Sequence, residues 1–192
     1  MPSLLDYFPE SKGDGLRVTW ASEVNTKSRL AALLRGPTMV IEGDLSMASH
    51  SRYPVPTLGD LTLEEWLLEV AGARRGARLN FRSTEVVEPA CRVLARLPVS
   101  SGFLGCTHEM TERMLALVKE YSLTQPVMFP MSAASLAASV PEVQRLLFHV
   151  PGSCLVVTPP AAGPGDLPAI RAAFPRAQVF YALPDHYLAA IT

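Results

Sequence analysis

Cysteine is scarce and in no useful pattern. Cys91, Cys106 and Cys154 are three in 192 residues, an odd number in no metal-ligand spacing, which sets aside a disulfide framework. Charge of one sign is missing too. Seventeen Lys and Arg against eighteen Asp and Glu leave a net charge of −1, with the basic residues scattered. The chain therefore offers no basic stripe for nucleic acid and no polybasic patch for a membrane surface. No apolar run approaches the roughly 20 residues of a membrane span. The opening MPSLLDYFPESKGDG has neither the cationic start nor the long apolar segment of a signal peptide. The cytoplasm is the expected compartment, and the extracellular space if the chain is a fragment or shortened form of a secreted protein.

What is present is apolar and orderly. Hydrophobic residues make up 48% and charged residues 18%, the balance of a globular chain with one sizeable core or at most two small ones. Short apolar runs alternate with helical patterns. Strands are expected at Leu16–Trp20, Thr38–Leu45, Ala77–Arg82, Leu97–Phe103, Pro126–Met131, Ser153–Thr158 and Gln178–Leu183. Between them the apolar spacing predicts helices over 27–34, over 60–72 with Asp60 or Thr62 as the cap, and over 85–97. Further helices are predicted over 108–121, over 133–148 with a break near Pro141, and over 167–174. Repeated strand–helix units imply a parallel sheet, doubly wound or closed into a (β/α) barrel. A full barrel takes about 250 residues, so roughly seven strands and an internal deletion near 97–101 are expected within a single domain, 1–192.

The stretch MVIEGDLS, 39–46, poses the functional question. In a strand, Glu42 and Asp44 point to the same side, and two adjacent carboxylates at the end of a buried strand need a countercharge. A divalent metal supplies it. So does an Arg, with Arg82 and Arg78 the candidates, and so does plain solvent. His50, His108, His149 and His186 show no pairing in sequence. Cys106 reads as a structural thiol, and Trp66 with the Met110/Met114 stripe reads as core.

The order of motifs carries a resemblance. Val18-Thr19-Trp20, Asn25, the 39–44 strand, Thr62-Leu63-Glu64-Glu65-Trp66-Leu67, Arg78-Leu79-Asn80-Phe81-Arg82 and Gln125-Pro126-Val127-Met128-Phe129-Pro130 together resemble the menorin family, from about Leu5 to Tyr187. That family resembles in turn the phosphodiesterase barrels of glycerophosphodiester phosphodiesterases and phosphatidylinositol-specific phospholipases C. The resemblance implies a TIM-type barrel, here shortened to about seven strands by loss of one strand–helix unit. It also implies a site at the C-terminal ends of the strands.

Carried over residue by residue, it puts Ser22 and Tyr53 where the family places histidines. It keeps Asn25, Glu42 and Asp44, and it puts Asn80 and Arg82 where the family has Asp and Lys. An Arg of the family falls at Ser132. The expected metal set is therefore Glu42, Asp44 and Asn80, ending neighbouring parallel strands within reach of one point. Its two charges, where the family pattern offers three, imply weak Ca²⁺ or Mg²⁺ binding or none. Asn25, Arg82 and Ser132 complete the expected pocket. The lost histidines matter most, because imidazole titrates near working pH and a hydroxyl of serine or of an ordinary tyrosine (about 10) does not.

The leading expectation is thus a non-catalytic binding or scaffold domain, for which a protein partner is compatible. The alternatives are a residual metal-dependent phosphodiesterase acting on a glycerophosphodiester or phospholipid-like substrate, and a shortened gene product or splice form with little function of its own.

Overall fold

The computed structural model describes residues 4–48, 53–97, 102–105, 116, 119–122, 127–150, 152–159, 166–189 and 191. In chain order it forms α1 (Leu4–Tyr7), β1 (Trp20–Ala21), α2 (Lys27–Leu34), β2 (Val40–Met47), β3 (Pro54–Pro56), α3 (Leu63–Gly72), β4 (Gly76–Phe81), α4 (Val87–Arg96) and β5 (Gly102–Gly105). It continues with β6 (Val127–Ser132), α5 (Ala133–Ala138), α6 (Val140–His149), β7 (Cys154–Thr158), α7 (Asp166–Ala173), β8 (Val179–Tyr181) and α8 (Asp185–Leu188). The chain divides into two compact units. One is Thr19–Val127 and the other is Met1–Val18 with Met128–Thr192.

In the unit Thr19–Val127, β1, β2, β4 and β5 form a parallel sheet in that order. Successive strands are joined by helices because a parallel pair needs a crossover longer than a hairpin turn. Strands β2 and β4 are buried on both faces, with Val40, Ile41, Leu45 and Leu79 at most 1% exposed. Thr62 starts α3 with a capping box: the Glu65 amide donates to Thr62 Oγ1 at 3.2 Å and the Thr62 amide to Glu65 Oε2 at 2.8 Å. Of the two caps the sequence allowed, Thr62 takes this helix. Asp60 instead accepts from the Lys27 amide at 2.7 Å, at the start of α2. The antiparallel β3 is an addition no periodicity announced. Pro54 and Pro56 pair with Met47 and Leu45, in a segment whose prolines donate no ladder hydrogen bonds and so suit a sheet edge.

The second unit holds a parallel sheet β6-β7-β8, with Leu155, Val156, Val157 and Phe180 fully buried. Helix α5 stops at Ala138 and α6 restarts at Val140, with Pro141 in its first turn, where a missing N–H costs nothing. The expected strand over Leu16–Trp20 is corrected. Gly15–Arg17 is a 3₁₀ turn, and only Trp20–Ala21 pairs as strand. Asp14 causes the turn, accepting from the Leu16 amide at 3.0 Å. Its carboxylate also takes a two-pronged contact from Arg171, at 3.1 and 2.6 Å. Gly15 then lies so close to β8 that a Cβ would sit 2.1 Å from the Val179 carbonyl oxygen.

The expected seven-stranded TIM-type barrel is also corrected. Among the described residues the ladders make a four-stranded and a three-stranded parallel sheet, and no closed barrel. Closure demands one continuous ladder whose strand number, tilt and stagger agree. Here the ladders of the described residues run in two groups, β1-β2-β4-β5 and β6-β7-β8. Strand β5 begins at Gly102. The Met110/Met114 stripe, Cys106, His50, His108 and residues 98–101 lie outside the described residues.

The Asp14–Arg171 pair generates a stability prediction. The hydrogen bond from Arg171 holds the Asp14 carboxyl below the usual range, opposed in part by burial. A depressed carboxylate pKa adds stability above the unfolded value, near 3.9, that is lost as pH falls through the folded value. Asp14→Asn should therefore cost about 1–3 kcal/mol at neutral pH, and the gap to the natural chain should close in acid. Urea unfolding across pH measures this. A gap independent of pH would contradict it.

Candidate functional site

Alternation along β2 and β4 builds the site. Parallel register sets Glu42 beside Arg78 and Asp44 beside Asn80, with all four side chains on one face of the sheet. Arg78 donates a short, charge-assisted hydrogen bond to Glu42 Oε2. Asn80 Nδ2 donates to Asp44 Oδ1 at 2.7 Å, and Arg82 Nη2 reaches the same oxygen at 2.9 Å. Asn25 answers from the loop after β1: its Nδ2 lies 3.5 Å from Asp44 Oδ2, and its Oδ1 accepts from the Asp44 amide at 2.9 Å. Glu42, Asp44 and Arg78 are buried, at 8%, 2% and 4% exposure. The Arg82 side chain is half-exposed.

The scaffold under these groups is aromatic. Trp66 from α3 lies against Gly43, where a Cβ would come within 3.1 Å of the ring. Its Nε1 donates to the Val24 carbonyl at 2.8 Å, and the Val24 amide donates to the Glu42 carbonyl at 2.9 Å. Trp66 thereby ties the Asn25 loop to β2. The Arg78 guanidinium also lies 5.9 Å from the Trp20 ring centroid, a cation–π distance. The Thr57 amide, just past β3, donates to the Asp44 carbonyl at 2.7 Å.

Burial pushes the Glu42 carboxyl up from its ordinary value. Arg78 draws it part of the way back, and neighbouring Asp44 adds to the rise. The described thiols stay protonated at neutral pH, since burial lifts Cys91 to about 11 and Cys154 to about 12, so neither is an activated nucleophile.

Ser22 is exposed, and its carbonyl accepts from Arg29 at 3.1 Å. Tyr53 is 70% exposed and lines a cleft of about 730 Å³ with Met47, Pro54, Glu88, Arg92 and Arg96. Neither Glu42, Asp44 nor Asn80 lines that cleft. Ser132 belongs to the other unit, where its hydroxyl accepts from the Ser135 amide at 3.1 Å and starts α5. The expected strand ended at Leu45, and the parallel β2–β4 ladder does end there, one pair after Asp44–Asn80, while β2 runs on to Met47 along β3.

A divalent cation does not fit this donor set. Among the described residues no three His, Cys, Asp or Glu side chains converge. Asp44 spends both oxygens on protein donors, and Asn80 turns its amide nitrogen, not its oxygen, toward Asp44. The arrangement can hold a fixed, neutralised polar cluster. Its amides and guanidiniums do not exchange protons near neutral pH, and Glu42, the carboxyl with the raised pKa, is held by Arg78. Sequence reasoning named Arg78 and Arg82 only as alternatives, whereas the structure uses both, one per carboxylate. The supporting role of Trp66 was missed; the signal was Gly43, a side-chain-free position between two carboxylates.

The family model for the Menorin N-terminal domain matches residues 14–104 and 103–188. The human Protein FAM151B is 34% identical over 104 residues, covering 48% of this chain and 38% of that protein. The chain thus spans well under half of that curated relative. A solved structure from Aquifex aeolicus VF5 is similar with a TM-score of 0.53 over the whole chain and 92% of its own, at 13% identity, a likeness of fold alone. No described helix is long and apolar enough to cross a membrane.

The Glu42–Arg78 pair supplies the test of this site's construction. Arg78→Met strands a buried carboxylate and should cost about 3–5 kcal/mol, while Glu42→Leu with Arg78→Met should recover most of that loss. Chemical denaturation of both variants decides it. A single variant as stable as the natural chain would show that the pair is not holding the two strands.

Proposed function

The chain belongs to the menorin family, and from that premise we propose that it is a non-catalytic binding domain in which the phosphodiesterase-type acid–base pair has been lost. The proton inventory around Asp44 carries this reading. Among the described residues, the side chains that touch the Asp44 carboxylate are Asn25, Asn80 and Arg82, none of which takes up or releases a proton near neutral pH. Glu42 has a raised carboxyl pKa, but it lies buried against Arg78. Ser22 and Tyr53, where the resemblance would place histidines, are both exposed. Acid–base assistance contributes about 10²–10⁴-fold per group, so loss of both groups brings turnover to background. A balanced, rigid cluster with a half-exposed Arg82 suits holding a partner in place rather than transforming a substrate.

Hydrolysis assays test the reading. Glycerophosphodiesters and phosphatidylinositol should be turned over no faster by the natural chain than by Asp44→Ala. Hydrolysis clearly above that control would overturn the non-catalytic reading in favour of a residual phosphodiesterase, with Glu42 or His50 taking the proton-transfer role.

A further inference from the structure

We infer that Arg82, with Arg78 beneath it, occupies the electrostatic place of a divalent cation, so that this cluster is complete in charge on its own side chains and takes no Ca²⁺ or Mg²⁺. The inference concerns charge and not turnover, so its failure would leave the missing acid–base pair as it stands.

Three observations carry it. The first is the balance of charge. Glu42 and Asp44 contribute two negative charges, and Arg78 and Arg82 two positive ones, each guanidinium in direct contact with one carboxylate. A divalent ion added to that set meets a neutral cluster and two like charges instead of an unbalanced pair of acids. The second is occupancy of lone pairs. Asp44 Oδ1 accepts from both Asn80 and Arg82, and Oδ2 faces Asn25. A hard cation needs several oxygens turned toward it, and here nitrogen donors are turned inward. The third is burial. Asp44 is 2% exposed and Arg78 4%, so Arg78 cannot withdraw to make room, and its repulsion of an incoming cation is poorly screened. Arg82 is the only one of the four charged groups with substantial exposure. It is the removable member, and Asn80 is the neutral position beside it. The two together set whether this site is closed by an arginine or open to a metal.

Calorimetric titration of the full chain with Ca²⁺ and with Mg²⁺, beside thermal melts in EDTA and in millimolar Ca²⁺, tests the inference. The natural chain should give no saturable heat and superimposable melts. Arg82→Gln combined with Asn80→Asp removes one positive charge and adds one carboxylate. That variant should bind a divalent ion at least about tenfold more tightly than the natural chain, and Asp44→Asn should abolish the gain. Saturable binding by the natural chain that Asp44→Asn removes would overturn the inference. So would a folded double variant that binds no better than the natural chain. Should the double variant not fold, the natural chain's own melts decide: a melting temperature raised by Ca²⁺ refutes the inference, and unchanged melts support it.

Discussion

Asp44, a carboxylate 2% exposed near the C-terminal end of the parallel β2–β4 ladder, is the constraint on which the site is built. An isolated charge at that depth would be neutralised or expelled. The chain instead surrounds it with donors from three segments: Asn25 after β1, Asn80 within β4, and Arg82 just beyond it. Each donor fixes a piece of backbone as well as a charge. Asn25 is bound twice, by its amide and by its oxygen, so the loop that bears it is pinned to β2. The Glu42–Arg78 pair repeats the device two residues earlier in the same register. A buried pair of this kind stabilises little compared with a well-packed apolar pair of the same size. Its effect is to make one register of β2 on β4 far better than its neighbours, since a slip of one residue would turn these charges to the other face.

The other unit uses the same economy of charge at its own turn. Asp14 caps the 3₁₀ turn and is gripped by Arg171 on α7. Gly15 is needed at this place because its backbone runs against the Val179 carbonyl. In both units, then, a carboxylate close to a strand is met by a guanidinium from a sequence-distant element.

Much of this was legible before any coordinates. Apolar runs located β2, β4, β6 and β7 to within a residue or two, because strands buried on both faces are written as continuous apolar segments. The motif order pointed to the family, and strand alternation put Glu42 and Asp44 on one side. Three things were not legible, each for a physical reason. Leu16–Trp20 has the composition of a strand, but the Asp14 cap and the close approach of Gly15 to β8 are tertiary and win over local preference. Strand β3, written Pro54-Val55-Pro56, has one strand-favouring residue between two prolines and forms where an edge tolerates absent donors. Barrel closure was inferred from the count of strand–helix units, and a count of units says nothing about whether the ladders join. At the site, the sequence supplied both carboxylates and both arginines but not their pairing, which only the β2–β4 register determines.

A crystal of the full chain soaked in Mn²⁺, with anomalous scattering recorded, most directly tests whether arginine rather than metal neutralises this site. The account predicts no anomalous peak beside Asp44, with Arg82 Nη2 still in contact with Asp44 Oδ1. An anomalous peak between Asp44 and Asn80, with Arg82 displaced toward solvent, would contradict it.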